Sequence, residues 1–230
     1  MTMTNVAPRG DTVLRSVLHL ADLAPHAGGY QWRLTDGAAH LHLDSPSSPS
    51  NVLLGVGAVL HHLRVALAAS GWGALIGRGT IPSDPTHIAS IRAVRQEPST
   101  EQVAMAAAIS VRAGDDADYS EAAVPWTLLH RLAQQARVEG AELHLVLDHE
   151  TRLKMLRRTR SLRNAGVLAV IGANDVVAAG AALSAVLLMG TVWGLLGCRL
   201  PVRPPLARPV IGPDLTPQVV LRLGYPLSGA

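Results

Sequence analysis

The sequence has no phenylalanine, one cysteine and one lysine, and only 16% of its residues are charged. Aromatic residues make up 3% of the chain, so Leu, Val and Ala must fill any core, and surfaces for stacking bases are scarce. The lone Cys198 excludes an intrachain disulfide and an all-cysteine metal site, which fits a reducing compartment. Lying in an apolar run, it reads as a small buried hydrophobe. A formal charge of +3 and scattered Trp and Tyr residues argue against a nucleic-acid surface. The opening MTMTNVAPRG holds no apolar signal core, so a cytoplasmic location is expected. No GxSxG, Walker A or HExxH word occurs, and Gly55-Val56-Gly57 lacks the third glycine of a dinucleotide-binding turn.

What the chain does contain is an internal echo. Residues 57–72 read GAVLHHLRVALAASGW and residues 180–195 read GAALSAVLLMGTVWGL, with Gly57, Ala58, Leu60 and Gly71 recurring as Gly180, Ala181, Leu183 and Gly194. A strand-like segment precedes each, GAAHLHLD at 37–44 and GAELHLVLD at 140–148. Two copies are too few for a solenoid, so the expectation is one domain with pseudo-two-fold symmetry. The uncharged run 176–198 is long enough to span a bilayer, but its counterpart carries His61, His62 and Arg64. Both therefore read as buried core helices, and no membrane partner is expected.

Hydrophobic periodicity predicts helices over 12–23, with Asp11 as cap, over 99–110, with Thr100 or Ser99 as cap and Val103, Ala106, Ala107 and Ile109 inward, and from Pro125 to about Val138. Strands are predicted at 30–34 and 39–43, joined through Asp36-Gly37, and at 143–147, 166–171 and 219–223. Residues 45–50 read as a polar linker, 77–85 as a loop or short strand, and 113–121 as an acidic exposed boundary. The basic stretch Arg152, Lys154, Arg157, Arg158, Arg160 and Arg163 suits a solvated helix face or a phosphate patch. His40 and His42 share a strand face and need a third ligand such as His144 to hold a metal, but no recognised spacing is complete, so none is expected. His61 and His62 diverge on their helix, which suits hydrogen bonding between the halves and excludes joint chelation. Strands inside and helices outside make the class α+β.

The words APHAGGYQWRLTDGAAHLHLD, VGAVLHHLRVALAASGW, IPSDPTHIASIR, VLAVIGAND, AGAALSAVLLMGTVWGLLGCRLP and LRLGYP run in an order that resembles the Acg-type nitroreductase-like proteins. The resemblance implies a nitroreductase-like fold with a central antiparallel or mixed sheet and flanking helices. One chain, in halves 1–110 and 111–230, would supply what is normally a homodimer. It also implies FMN between the halves. Where the family pattern is close to APSxHNxQPWRW, this chain keeps Gln31, Trp32 and Arg33. Where it is close to RRTDRRPF, this chain has Val111 to Tyr119, keeping Arg112 and placing Asp115, Asp116 and Asp118 among the lost arginines. The family's lid-like insertion is reduced to 159–165.

The implied cofactor contacts are thus Gln31, Trp32, Arg33 and Arg112, with no catalytic side chain and no metal. An Arg33 that pairs with Asp44 or Asp36 is an equal reading. The expectation is a degenerate member that holds FMN or a similar planar ligand weakly. Alternatives are an active FMN-dependent NAD(P)H oxidoreductase and a ligand-free interaction module, with a second copy of the chain as a possible partner.

Overall fold

The computed structural model describes residues 10–79, 83–112, 118–157, 166–202 and 204–227. Helix α1 (Gly10–Ala21) buries Val13, Leu14, Val17 and Ala21, the 3.6-residue stripe of an amphipathic helix. Strands β1 (Tyr30–Thr35) and β2 (Ala38–Leu43) follow. They are joined through Asp36 and Gly37, whose positive φ values of 52° and 71° match the twist of a two-residue hairpin. Helix α2 (Ser50–Ala69) comes next, then β3 (Trp72–Arg78) and β4 (His87–Arg95). The four strands form an antiparallel sheet in the order β1-β2-β4-β3. The breaker-rich 77–85 segment begins in the end of β3. Gly73 and Gly77 weaken the signal of that strand, which lies at the sheet edge.

Helix α3 (Thr100–Val111) opens with a capping box in which Gln102 N donates to Ser99 Oγ at 3.2 Å and Ser99 N donates to Gln102 Oε1 at 2.9 Å. Its buried side is Met105, Ala108 and Ile109, whereas Val103 is 45% exposed. The inner face is thus rotated from the expected one, because a helix so rich in alanine carries little amphipathic signal. Helix α4 (Trp126–Val138), capped by Pro125, leads to β5 (Glu142–Leu145). Asp148 then caps α5 (His149–Leu156) by accepting from Thr151 N at 2.7 Å. Beyond Arg157 the rest of the basic stretch, with Arg158, Arg160 and Arg163, and the segment 159–165 compared with the family's lid lie outside the described residues, as do Asp115 and Asp116.

Strand β6 (Val167–Gly172), helix α6 (Val176–Val192), β7 (Leu196–Arg199), a 3₁₀ segment (Pro204–Val210) and β8 (Pro217–Gly224) complete the chain. Helix α6 ends earlier than expected because Gly194 turns the chain at a φ of +74°, freeing 196–199 for β7. The second antiparallel sheet runs β5-β6-β8-β7, the order of the first with each number raised by four. Each sheet has a register shift at the same place, between its second and fourth strands, at Leu41/His42 and at Ile171/Gly172. The strand before α6 is therefore β6, and 140–148 corresponds to β1 and its flank. The expected pairing of 37–44 with 140–148 was displaced by one strand, since α5 and β6 intervene.

Helices α2 and α6 lie at the centre and cross at glycines. A Cβ on Gly57 would stand 1.9 Å from the Val177 carbonyl oxygen, and one on Gly180 would stand 1.9 Å from that of Leu54. Only glycine allows backbones this near. Leu63, Leu67, Leu183, Val186 and Leu188 then fill the space around the crossing. Among the described helices α2 alone is long and apolar enough to cross a membrane, and 78% of its apolar window is buried inside the protein. The sheets differ in their outer faces. Leu168, Val170 and Val220 pack with Met155 and Ala207 in a second cluster beneath α5 and the 3₁₀ segment, and the buried Cys198 joins them. The first sheet instead turns His40, His42 and Ser90 away from the core.

Candidate functional site

The resemblance singles out β1, an edge strand. Tyr30 Oη and Trp32 Nε1 both donate to Asp22 Oδ1, at 2.7 and 3.1 Å. Burial, with Asp22 beside it, raises the Tyr30 phenol far above its ordinary pKa. Gln31 Nε2 donates to Asp44 Oδ1 at 3.1 Å, so Gln31 takes the carboxylate considered for Arg33, while Arg92 Nη1 reaches the Asp36 carbonyl. Arg33 lies opposite His40 and close enough to His42 and Asp84 to act on their charges. Arg112 closes α3, and its charge acts on His62. Gln31, Trp32 and Arg33 are thus grouped on the first sheet, while Arg112 stands at the central helices.

His40 and His42 have neighbours that spacing did not reveal. His87 and Asp84 reach them across the β2–β4 register shift, with ring centroids 5.7 Å apart for His40 and His87 and 5.3 Å for His42 and His87. Asp84 lies 3.1 Å from His42 Nδ1, while His144 is on the other sheet beside Glu142. His42 has its pKa lowered, first by burial and next by Arg33. No group of three His, Cys, Asp or Glu side chains among the described residues is arranged to hold a metal ion.

The better-formed site lies between the central helices and α4. His61 Nδ1 and His62 Nδ1 stand 2.7 and 2.8 Å from Ser184 Oγ, a contact from α2 to α6. Beside them Glu139, just past α4, is paired with Arg64 and has Oε1 3.9 Å from His61 Nε2. Burial lowers both imidazole pKa values, that of His62 to about 4, so both rings are neutral at pH 7. Two adjoining cavities share His61, Arg64, Val138 and Glu139. One, of about 240 Å³, adds Gly57, Leu60, Ile76, Arg78, Val177 and Ala181. The other, of about 520 Å³, adds Gln96, Gln102, Met105 and Gln135. Arg78 is half-exposed and pairs with Asp175, whose carboxylate also caps α6. None of Gln31, Trp32, Arg33 and Arg112 lines either cavity.

Ser184, Glu139 and Arg78 were not among the residues picked from the sequence. Ser184 was within reach of it, because 184 exceeds 61 by the same 123 that separates Gly57 from Gly180. Gly57 and Gly180, which share that spacing, also meet at the crossing.

No protein-family model matches the chain. A Mycobacterium tuberculosis (strain H37Rv) protein provisionally named NAD(P)H nitroreductase Rv3131 is 30% identical over 174 residues, covering 65% of this chain and 50% of that protein. A second protein of that strain, provisionally named NAD(P)H nitroreductase acg, is 39% identical over 89 residues, covering 34% of this chain and 27% of that one. The matches span half or less of these relatives. A solved structure from Anabaena variabilis ATCC 29413, described provisionally as a nitroreductase, superposes with a TM-score of 0.65 over 94% of this chain and 73% of its own, at 10% identity. The chain has the nitroreductase fold and is a relative of the Acg-type proteins. Among the described residues, the groove shared by α2, α4 and α6 is a concave site whose lining combines apolar walls with buried polar groups.

Proposed function

We propose that the chain is a nitroreductase-like flavin-binding protein that holds FMN, or a similar planar ligand, weakly and without efficient turnover. In this reading it comprises two pseudo-symmetric halves, 1–110 and 111–230, and the ligand lies between them. The supporting observation is a groove of two adjoining cavities at the junction of α2, α4 and α6, in a chain whose sequence relatives carry NAD(P)H nitroreductase names.

The lining fits the cofactor in part. Leu60, Ile76, Val138 and Val177 suit a flat ring system, and Arg64 and Arg78 suit a phosphate. Each guanidinium already faces a carboxylate, Glu139 for Arg64 and Asp175 for Arg78. The Arg78–Asp175 pair is half-exposed, is worth at most about 1 kcal/mol, and can yield. Glu139 is buried, and a phosphate brought beside it is repelled. Affinity is reduced accordingly.

Gln31, Trp32, Arg33 and Arg112 remain the contacts that the resemblance assigns. Gln31 and Trp32 must release Asp44 and Asp22 to serve a flavin. Bound FMN would supply hydride acceptance, while the chain would supply walls, charge and exclusion of water.

The test is the visible spectrum of the purified protein with and without FMN, followed by gel filtration and flavin-fluorescence titration. Flavin that binds but leaves during filtration is expected, with Arg78→Ala weakening it; a larger loss in Arg33→Ala or Arg112→Ala, whose side chains lie outside the groove, would move the ligand to the contacts that the resemblance implies. A spectrum and fluorescence unchanged in excess FMN would leave the interaction-module reading in its place. Sustained NAD(P)H oxidation with added FMN would replace holding by turnover.

A further inference from the structure

The groove wall contains an imidazole whose hydrogen position can be worked out from its neighbours. The Ala58 carbonyl oxygen only accepts, and it lies 3.2 Å from His62 Nδ1, so that nitrogen carries the hydrogen. The same N–H points at Ser184 Oγ, 2.8 Å away. Ser184 Oγ accepts there, and its own hydrogen goes to its other neighbour, His61 Nδ1, at 2.7 Å. His61 Nδ1 is therefore an acceptor, and a neutral ring has one hydrogen left, on Nε2.

That Nε2 has Glu139 Oε1 as a charged neighbour at 3.9 Å, beyond hydrogen-bond range, and Arg64 already engages the same oxygen. Ser184 is wholly buried and His61 is 3% exposed, so bulk water does not compete for these positions. His61 nevertheless lines both cavities. With its Nδ1 edge turned to Ser184, the Nε2 edge on the Glu139 side is the one left for the groove.

We infer that His61 is the recognition donor of this groove: its Nε2–H, held in one tautomer by the Ala58–His62–Ser184 chain, selects ligands that present a carbonyl or other acceptor oxygen. His61 binds and orients the ligand, and Ser184 and His62 act through it. A ligand offering a donor at that point meets another donor and is rejected, which gives the groove a polarity that its apolar walls lack. The ligand class rests on the flavin reading, since FMN offers ring carbonyl oxygens, whereas the donor itself does not.

Two measurements on the full chain test it. Nitrogen-15 imidazole spectra at pH 7, with His61 assigned by its loss in His61→Gln, are expected to show hydrogen on Nε2 in the wild type and a mixture of tautomers in Ser184→Ala. FMN titration is expected to show affinity falling about three- to tenfold in His61→Leu. His61→Gln, which restores an N–H, should recover most of that loss. A wild-type His61 that is protonated, or carries its hydrogen on Nδ1, overturns the inference. So does a His61→Gln protein that binds FMN no better than His61→Leu. If wild type binds no FMN, the flavin reading fails by itself. The spectra then decide the donor: hydrogen on Nε2 supports it, and any other state sinks it.

Discussion

The crossing of α2 and α6 can be broken by one methyl group. In Gly57→Ala the new carbon would lie 1.9 Å from the Val177 carbonyl oxygen and 2.8 Å from Ala181 N. Ordinary contact begins near 3.4 Å, so the helices must separate by about 1.5 Å or the backbone must bend. Neither obstacle is a flexible side chain. A gap of 0.5–1 Å already forfeits roughly a quarter to a half of the dispersion energy of each contact it opens, and this interface is the centre of the core. Overpacking usually costs about 1–3 kcal/mol, and helix propensity returns about 1 kcal/mol when alanine replaces glycine. With two backbone clashes at one site, the expected net loss is about 3 kcal/mol. Gly180→Ala should cost the same, since its methyl would meet Leu54 O at 1.9 Å and Gly57 Cα at 3.0 Å. Urea denaturation followed by circular dichroism reads both, with Gly212→Ala as control because nothing lies within 4 Å of a Cβ there. If both helix variants unfold at the wild-type midpoint, the close crossing is wrong. If only one does, the reciprocity of the two helices is wrong.

Three further outcomes are expected. Folding holds the His62 pKa near 4, chiefly by burial and also through Arg112, against 6.5 unfolded, so the unfolded chain binds the proton more readily. The corresponding stability is present above pH 6.5 and is lost as pH falls towards 4, by at most about 3 kcal/mol, and His62→Gln should flatten that part of a urea-midpoint profile. Glu139→Gln should tighten FMN at least about fivefold in a fluorescence titration by removing a negative charge beside Arg64, while lowering the thermal midpoint. Gly37→Ala, forced to keep a φ of +71°, should destabilise by about 1 kcal/mol in urea, whereas Gly37→Asn should cost less.

The legible parts of the fold were those with strong local chemistry. The Asp36-Gly37 hairpin, the Ser99 cap and the apolar 166–171 strand all follow from residues within a few positions of each other. Strands β3, β4 and β7 were not read from the sequence: β3 and β7 are held by pairing with β4 and β8 while their own glycines argue against extended structure, and β4 carries Arg92 and Arg95 in a weak alternation. The central helices were recognised from the echo between 57–72 and 180–195, and His61, His62 and Arg64 on one of them argued for burial over a membrane span. Which face of α3 turned inward was not, since alanine offers no gradient to read. At the site, His61 and His62 were expected to hydrogen-bond, and both meet Ser184 across the α2–α6 crossing. Glu139 was missed because it sits in an ordinary helix ending, and only the third dimension sets it beside Arg64, 75 positions away. His40 and His42 were paired from the strand period, but His87 was missed for the same reason, as β4 brings it in.

The like strand order of the two sheets does not extend to the chemistry of the central helices, and this bears on how many ligands one chain should hold. At the spacing of 123, His61, His62 and Arg64 on α2 correspond to Ser184, Ala185 and Leu187 on α6. Ser184 is already committed to the two imidazoles, and alanine and leucine offer neither charge nor hydrogen bond. The groove beside α2 thus receives a neutral imidazole and a guanidinium, and the corresponding positions of α6 contribute nothing of the kind. Two identical grooves in a true homodimer would have to carry the same residues. In the proposed reading one chain encodes both sides and is free to let them diverge, which gathers the polar lining in one groove while α6 keeps to packing. A flavin titration that saturates at one equivalent per chain is what this division of roles requires.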